Sequence, residues 1–296
     1  MKVFIKNHDS NAGFWIYQGY KKAWEYLGFE TLFYDSLNQL KNEENFYLMA
    51  MANDIKGDEE LRILNKSHKT FLFVLPNYFP KHWGAHPNWV STCPIEPEKI
   101  NSLEKVIQWT FVDKCDFFYK WKNVQTIPLA FDDISYSFDD EINYNFDVCY
   151  IGGWANNGFD EKKKNILKHF SKLKDTNIKC GIFINRNITH EQEQKILSSS
   201  KICLNIHDDY QREFGLDTNE RTFKSLGLNG ILVSDEVLQI KKVCEDVKMS
   251  NDPEIYLNLI HNELSDPHIS QRRIENRDNI LKNHTYKNRV QELLNA

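Results

Sequence analysis

Hydrophobic positions in the first part of the chain change between strand-like runs and helical spacing. Apolar runs at residues 2–6 and 31–34 predict two short strands. Between these runs, Gly28 is predicted to end a helix whose apolar stripe consists of Ile16, Tyr20, Ala23, Trp24 and Leu27. The order strand, helix, strand predicts a parallel α/β unit.

The rest of the first half is less regular. Residues 37–64 have a mostly helical composition, whereas residues 70–75, 106–112 and 124–129 are strand candidates. The segment NYFPKHWGAHPNW follows residue 75 and is rich in Pro, Gly, His and Trp. We therefore predict an irregular loop there.

The second half shows a more regular alternation of strands and helices. Helical patterns separate four strand-like runs, at residues 146–151, 178–184, 202–206 and 231–233. This alternation predicts a doubly wound parallel sheet, in which ligands bind beyond the carboxyl ends of the strands.

An acidic segment, PLAFDDISYSFDDEINYN, separates the two halves and has no helical or strand period. We place the domain boundary near Asn143, which predicts an α/β domain at 1–143 and a second at 144–296. The last predicted helix can pack on either lobe through its apolar stripe: Tyr286, Val290, Leu293 and Leu294.

Composition narrows the class of protein. A length of 296 residues suits two domains, and a formal charge of −5 argues against nucleic acid as the main partner. The six cysteines lack any C-x-x-C pair, which predicts buried thiols in a reducing cytoplasm. No apolar run reaches the length of a membrane span. We expect a soluble cytoplasmic protein, and peripheral contact with the inner membrane face stays open.

The segment EFGLDTNERTFKSLGLNGILVSD, residues 213–235, predicts a polar loop, a capped helix, a glycine-containing turn and a buried strand. Asp217 and Glu220 have the spacing of a capping pair. A helix N-terminus beside Arg212 and Arg221 is suited to holding a phosphate. The alternative is an ordinary capped helix with surface arginines.

Polar residues also follow the other strands of the second half. Gly152, Gly153 and Trp154 come after the first strand, Arg186 after the second, and His207 after the third. Glycines admit close approach of a phosphate, and arginines bind it in bidentate fashion. The alternatives are a plain glycine turn, a surface arginine and a hydrogen-bonded histidine at a strand end.

In the first half, four loop residues are candidate general bases for an acceptor hydroxyl: His8, Asp9, His82 and His86. Trp15, Trp83 and Trp89 are candidates for stacking on sugar rings. The alternatives are loop histidines without a catalytic role, a core position for Trp15 and loop anchors for the other two tryptophans.

Several catalytic signatures are absent from the sequence. It contains no G-x-S-x-G, no H-E-x-x-H and no G-x-x-x-x-G-K-[ST], so serine hydrolases, zinc proteases and P-loop enzymes lack their motifs here. The acidic pairs are contiguous, so there is also no D-x-D motif of the metal-dependent glycosyltransferases.

The runs FDVCYIGGW, SKICLNIH and NERTFKSLGLNGILVSD resemble the C-terminal lobe of GT-B glycosyltransferases, and most closely the spore-maturation-type branch of the group 1 enzymes. The resemblance covers roughly residues 146–235. The positions that match are Asn219, Arg221, Phe223, Gly230 and the strand at 231–233.

This resemblance implies two Rossmann-like lobes with an interlobe cleft, and transfer of a sugar from a UDP- or GDP-linked donor without a metal or other cofactor. The acceptor would be a glycan, a lipid-linked molecule or another hydroxyl compound, in surface polysaccharide or glycoconjugate synthesis. Asp9 or His82 would be the base, with His8, Trp15 and His86 on the acceptor side. The implied donor-binding residues are Gly152, Gly153, Trp154, Arg186, His207, Asn219, Glu220, Arg221 and Thr222.

The sequence departs from the family pattern at Lys224, where relatives usually have the glutamate that holds the donor ribose. Glu220 lies one helical turn earlier on the same face and can take over that contact. Lys162 or Arg186 would replace a basic residue that relatives place after the glycine loop. The departure leaves two alternatives open: a catalytically silent nucleotide-sugar-binding module, and another nucleotide-sugar enzyme, such as an epimerase.

Overall fold

The computed structural model describes residues 1–8, 11–75, 95–136, 144–154 and 161–296. The chain divides into two compact units. The first consists of Met1–Leu129 together with Tyr286–Ala296, and the second is Ala130–Thr285. The boundary predicted near Asn143 lies outside the described residues.

The first unit contains a parallel sheet with the strand order β2-β1-β3-β4-β5-β6. Its strands are β1 (Lys2–Lys6), β2 (Glu30–Tyr34), β3 (Phe46–Met51), β4 (Lys69–Phe73), β5 (Val106–Thr110) and β6 (Gln125–Thr126). Its helices are α1 (Asn11–Tyr26), α2 (Asp58–Lys66), α3 (Pro97–Asn101) and the last helix of the chain, α11 (Tyr286–Asn295). The predicted parallel α/β unit is confirmed, because β1 and β2 pair in parallel on either side of α1 in the chain.

Helix α1 forms because its apolar residues recur on one face and are buried. Tyr20, Ala23 and Trp24 are fully buried, and Gly28 (φ +88°) takes the left-handed conformation just beyond the helix end. Gly19 lets the Tyr286 ring approach closely, since a Cβ at Gly19 would lie 2.4 Å from that ring. Helix α11 therefore packs against α1 within the first unit.

Two predictions in this unit are wrong in detail. Residues 37–64, predicted as mostly helical, contain the central strand β3. This strand is buried on both faces, so it shows no alternation, and its Leu, Met and Ala residues are good helix formers. The strand predicted at 124–129 is only the two-residue β6.

The second unit contains a parallel sheet with the order β11-β10-β9-β7-β8. Its strands are β7 (Phe146–Gly152), β8 (Cys180–Ile184), β9 (Ser200–Asn205), β10 (Leu232–Ser234) and β11 (Lys248–Met249). Its helices are α4 (Glu161–Phe170), α5 (His190–Ser198), α6 (Asp209–Phe214), α7 (Glu220–Leu228), α8 (Gln239–Val243), α9 (Pro253–Ser265) and α10 (Ile269–Asn283). The predicted strands are confirmed, with ends that shift by one or two residues.

The core of the second unit lies between the sheet and its helices. It includes Val148 and Tyr150 of β7, Ile202 and Leu204 of β9, and Tyr256 of α9. The fold class inferred from the sequence, α/β with two units of parallel sheet, is confirmed.

Residues 130–136 pack in the second unit rather than forming a bare linker. Phe131 forms a parallel bridge with Thr285 and stacks on Tyr136 with a ring-centroid distance of 5.5 Å. Gly227 of α7 makes room for Phe131, because a Cβ there would lie 2.6 Å from the ring.

The cysteines of the described residues are free thiols. Cys149, Cys203 and Cys244 are buried as predicted, whereas Cys115 and Cys180 are half-buried; Cys93 lies outside the described residues. Nowhere in the described ranges is a helix long and apolar enough to cross a membrane.

Candidate functional site

The carboxyl ends of β7, β8, β9 and β10 meet at one edge of the second sheet, because these strands are parallel neighbours. Asn185 follows β8 in the left-handed conformation (φ +50°), and its side chain accepts a hydrogen bond from the Trp154 backbone N–H at 3.1 Å. Gly153 must be a glycine, since its Cβ would lie 2.0 Å from that Asn185 oxygen. Asn185 thus fixes the turn after β7.

Arg221, in the first turn of α7, reaches across this edge to the end of β7. Its Nε donates to the Ile151 carbonyl, and its Nη1 donates to Asn205 Oδ1 at 2.7 Å. The guanidinium carbon lies 4.8 Å from the centre of the Tyr150 ring. Arg221 is therefore held by two strands and an aromatic face.

Gly152 is the residue that allows this placement. A Cβ at Gly152 would lie 2.2 Å from Arg221 Nη2. Gly152 was predicted to give a phosphate room to approach. In the structure it gives room to the guanidinium, whose Nη2 lies beside the glycine backbone. Any larger residue would push Arg221 away from the strand end.

Lys162, near the start of α4, is the second cation of this region. Its Nζ lies 3.1 Å from Asp208 Oδ1, and its side chain is mostly buried. Burial lowers the pKa of Lys162, Asp208 opposes that change, and Arg221 lowers the pKa further. Among the described residues, the carboxylate in an ion pair with Lys162 is that of Asp208, which follows β9.

The N-cap of α7 differs from the prediction. Asp217 was predicted to cap the helix with Glu220, but Asn219 is the cap, and its Oδ1 accepts from the Thr222 N–H at 3.3 Å. Asp217 instead accepts a hydrogen bond from Gln211 at 2.9 Å. Both residue types are favoured caps, so the sequence could not distinguish them.

Asn205, at the end of β9, connects the cap to Arg221. Its Nδ2 donates to Asn219 Oδ1 and to Thr222 Oγ1, both at 3.0 Å, while its Oδ1 accepts from Arg221. Thr222 is fully buried in this network. Asn219 and Thr222, predicted as donor-binding residues, therefore orient Arg221 through Asn205.

His207 is fully buried, and both of its ring nitrogens have protein partners. Nδ1 lies 2.6 Å from Asp235 Oδ1, and Nε2 lies 2.8 Å from Thr218 Oγ1. With Asp235 as a carboxylate, Nδ1–H donates to it and Nε2 accepts from the Thr218 hydroxyl. This arrangement matches the alternative of a hydrogen-bonded histidine at a strand end.

Asp235 follows β10 and is the anchor of that histidine. Burial would raise the pKa of Asp235, but the neighbouring His207 and its hydrogen bonds, together with Arg212, lower it. Arg212 Nε lies 3.1 Å from Asp235 Oδ2. Two arginines were predicted beside this loop. Arg212 pairs with Asp235, whereas Arg221 lies at the strand ends.

Lys224, the departure from the family pattern, is neutralised by two carboxylates. Its Nζ lies 3.1 Å from Glu193 Oε2 and 3.6 Å from Glu220 Oε2. Burial raises the pKa of Glu220, and Lys224 opposes that change. Tyr136 also donates to Glu193 at 2.7 Å, so the cluster joins α5, α7 and the segment before β7.

Two donor-side candidates remain, Arg186 and Trp154. Arg186 follows Asn185 at the end of β8 and is exposed. Trp154 is half-buried, and Lys163 lies 5.8 Å above its ring.

The first-unit candidates lie near the carboxyl end of β1, as far as the structure describes them. His8 stacks on Tyr17 with a ring-centroid distance of 5.9 Å and packs over Gly13. Trp15 is 47% exposed, so the alternative of a core position is excluded. Outside the described residues lie Asp9, His82, His86, Trp83 and Trp89.

Sequence reasoning missed Tyr150 beneath Arg221, and it did not predict that the Asn205 amide connects the helix cap to Arg221. Tyr150 is two residues before Gly152 and so lies on the same face of β7. That spacing was the available signal. Among the described residues, no group of three or more His, Cys, Asp or Glu side chains is placed to hold a metal ion.

Comparison with solved structures shows which fold this is. T4 phage BGT with its substrate UDP-glucose superposes with a TM-score of 0.58 and 14% identity, covering 98% of this chain and 97% of that one. An α-glucosyltransferase with UDP and a 13-mer DNA containing an HMU base gives 0.63 and 11%, covering 99% and 98%. TarM of S. aureus gives 0.54 and 11%, and the match covers 88% of this chain but 57% of TarM. The shared feature is the GT-B glycosyltransferase fold.

Comparison of the sequence with protein-family models gives a match in the second half of the chain. Residues 149–295, just under half of the chain, match a family model described as glycosyl transferase-like. Among curated protein sequences, none matches the chain. The spore-maturation-type branch stays a prediction.

Proposed function

We propose that the protein is a glycosyltransferase that moves a sugar from a UDP- or GDP-linked donor to an acceptor hydroxyl. Two observations carry this proposal: Arg221 Nη2 lies beside Gly152 at the end of β7, and Lys162 pairs with Asp208 shortly after the end of β9. In α/β folds, ligands bind at such strand ends. Two cations at these strand ends suit the charge of a diphosphate.

The proposed reaction needs stabilisation of a leaving group. The acceptor oxygen attacks the anomeric carbon, the bond from that carbon to the phosphate oxygen breaks, and the nucleoside diphosphate leaves with the electron pair. Arg221, in a fixed orientation, and Lys162 would stabilise the charge that develops on the phosphate. We propose that these two cations act in place of a metal ion.

The acceptor proton must pass to a base. We propose that the first unit binds the acceptor and that Asp9 or His82 takes this proton. His8, the exposed Trp15 and His86 would contact the acceptor. Trp15 offers an aromatic face of the kind that stacks on sugar rings.

The donor ribose requires an acceptor of hydrogen bonds. We propose that Glu220 takes this role, since the family position at 224 is a lysine. Lys224 is paired with Glu193 as well as Glu220, which leaves Glu220 with capacity to accept from ribose hydroxyls. Arg186, exposed at the end of β8, would contact a part of the donor beyond the diphosphate.

The acceptor class is proposed from the family resemblance of the sequence. We propose a glycan, lipid-linked or other hydroxyl acceptor in surface polysaccharide or glycoconjugate synthesis, in the cytoplasm or at the inner membrane face. One structural neighbour was solved with DNA containing an HMU base. Such DNA is therefore included in the acceptor panel, although the charge of −5 favours an uncharged acceptor.

The decisive experiment measures nucleotide binding and release. Thermal shift with a panel of nucleotide sugars is expected to show stabilisation by a UDP- or GDP-linked sugar. Release of UDP or GDP should then require an acceptor and persist in EDTA. If no nucleotide stabilises the protein, the proposed function fails. Stabilisation without turnover would indicate a binding module, and conversion of the donor without an acceptor would indicate an epimerase-type enzyme.

Substitution of Arg221 tests the residue that carries the proposal. We expect Arg221→Ala to weaken nucleoside diphosphate binding by about 10- to 100-fold, the range for one charge-assisted contact. Arg221→Lys should restore part of the affinity because it keeps the charge. The control is Arg62→Ala, an exposed arginine on α2, which should bind like the wild type. Equal affinities in all variants would remove Arg221 from the site.

A further inference from the structure

The Tyr150 hydroxyl is a buried polar group without a hydrogen-bond partner among the described residues. Its residue is fully buried in the core of the second unit, where the ring packs edge-on against Phe170 at 4.9 Å. A buried hydroxyl without a partner is unfavourable and rare in folded proteins. Packing alone does not explain it, because a phenylalanine would fill the same apolar space.

The position of this hydroxyl links it to Arg221. A Cβ built on Gly152 would lie 2.8 Å from Tyr150 Oη and 2.2 Å from Arg221 Nη2. Both polar atoms are therefore close to the same point at the end of β7. A guanidinium and a hydroxyl are both donors that a phosphate oxygen accepts.

The charges around Tyr150 are those of the candidate donor site. Burial raises the pKa of the Tyr150 hydroxyl, Arg221 lowers it, and Asp208, the partner of Lys162, and Asp235 raise it. Arg221 is fixed over the ring by Asn205 and Ile151. The hydroxyl thus lies at the border between the apolar core and the proposed phosphate site.

We propose that Tyr150 is a further ligand of the donor diphosphate, donating a hydrogen bond from Oη to a phosphate oxygen beside Arg221 and Lys162. This inference rests on the proposed function and adds a neutral, directional donor to the two cations. The three donors come from β7, α4 and α7, so a diphosphate joins three elements at one point. A nucleoside without phosphate makes no such contact.

Tyr150→Phe is the test, because it removes one hydroxyl and keeps the ring. By isothermal titration, the variant should bind UDP, GDP and inorganic pyrophosphate about 10-fold more weakly, as expected for a hydrogen bond to a charged group. Its affinity for uridine or guanosine should not change. Its melting temperature should be equal to or above that of the wild type, because no described hydrogen bond is lost.

Tyr20→Phe is the matched control. Tyr20 is another fully buried tyrosine whose hydroxyl has no hydrogen-bond partner among the described residues, and it lies in the first unit. This variant should bind all probes like the wild type. A loss of phosphate affinity in both variants would indicate a general effect of the substitution and overturn the inference.

The remaining outcomes separate the inference from the proposed function. If the wild type binds none of the phosphate probes, the proposed function fails and this inference fails with it. If the wild type binds them and Tyr150→Phe binds equally well, only the role of Tyr150 is overturned. The same holds if Tyr150→Phe weakens uridine or guanosine as much as the diphosphates, because the hydroxyl would then act on the site as a whole.

Discussion

At the scale of single residues, Arg221 is oriented before any ligand arrives. The Ile151 carbonyl, the Asn205 amide and the Tyr150 ring fix three sides of its guanidinium. A long side chain ordinarily loses rotamer freedom when it binds a ligand. Arg221 loses this rotamer freedom when the protein folds rather than when a ligand binds. The fixed orientation therefore favours tight binding of a charged group.

Gly152→Ala tests this orientation directly. The added Cβ would lie 2.2 Å from Arg221 Nη2, so the guanidinium must move. We expect a loss of at least about 10-fold in UDP or GDP affinity, the size of one charge-assisted contact. Calorimetric titration measures this loss. Gly57→Ala is the control, because its Cβ would meet only Glu60 at 3.7 Å. Unchanged affinity of Gly152→Ala would show that Arg221 tolerates displacement.

Asp235→Asn tests the buried histidine network. Asp235 is the acceptor for the His207 ring, the His207 backbone N–H and Arg212. Removing its charge leaves Arg212 and these donors poorly compensated, for which we expect a loss of about 3–5 kcal/mol in the free energy of unfolding. Urea denaturation measures this loss. The exposed Asp175→Asn should stay within about 0.5 kcal/mol of the wild type. A small effect at Asp235 would contradict the network.

At the scale of elements, Arg272 of α10 connects this helix to its neighbours. Arg272 donates to Asp246 before β11 and to Glu263 and Asp266 at the end of α9. Burial would raise the pKa of Asp246, but the Arg272, Asn276 and Lys248 side chains lower it to about 2. Asp246 therefore stabilises the fold while it is charged.

This pKa predicts a dependence of stability on pH. Because the folded pKa is below the ordinary value of 3.8, the contribution is present above pH 4 and is lost as the pH falls toward 2. We expect about 1–2 kcal/mol, reduced for partial solvent exposure of the carboxylate. Unfolding by urea at pH 6, 4, 3 and 2 should show wild type and Asp246→Asn converging at low pH. A constant difference across that range would exclude Asp246 as the cause.

The sequence predicted elements well where hydrophobic period and caps agree, and failed where tertiary contacts decide. The strands β7 to β10 were found because apolar runs alternate with helical stripes. Strand β3 was missed, since Tyr47 to Met51 is buried on both faces and lacks β-branched residues.

The sequence predicted the candidate site only in part. Arg221 and Gly152 follow from strand ends and the family pattern. Asn219 rather than Asp217 as the helix cap depends on which oxygen meets the Thr222 N–H. The positions of Tyr150 and Asn205 beside Arg221 depend on the packing of α7 against β7 and β9, which no local pattern contains.

At the scale of the whole molecule, the chain completes its first unit with its last helix. Leu293 of α11 is fully buried there, while the neighbouring Leu294 is only half-buried. The residues of the proposed donor site lie between 150 and 224 and therefore belong to the second unit, not the first. Stability and donor binding should therefore be separable.

Leu293→Ala tests this separation. We expect a loss of about 2–4 kcal/mol in the free energy of unfolding, from lost burial and the cavity left behind. Leu294→Ala should cost clearly less. UDP or GDP affinity of the folded protein should stay at the wild-type value in both variants, as measured by calorimetric titration at low temperature. A parallel loss of affinity in Leu293→Ala would show that donor binding depends on the first unit.

The bridge between Phe131 and Thr285 has a consequence for how such proteins can diversify. The Phe131 N–H donates to the His284 carbonyl at 2.8 Å, so the two ends of the segment 130–285 lie side by side. A segment with adjacent ends can be exchanged without interrupting the first sheet, whose strands all precede residue 130. Under the proposed function, such an exchange would change the donor specificity of the protein that receives the segment. Its acceptor specificity would stay the same.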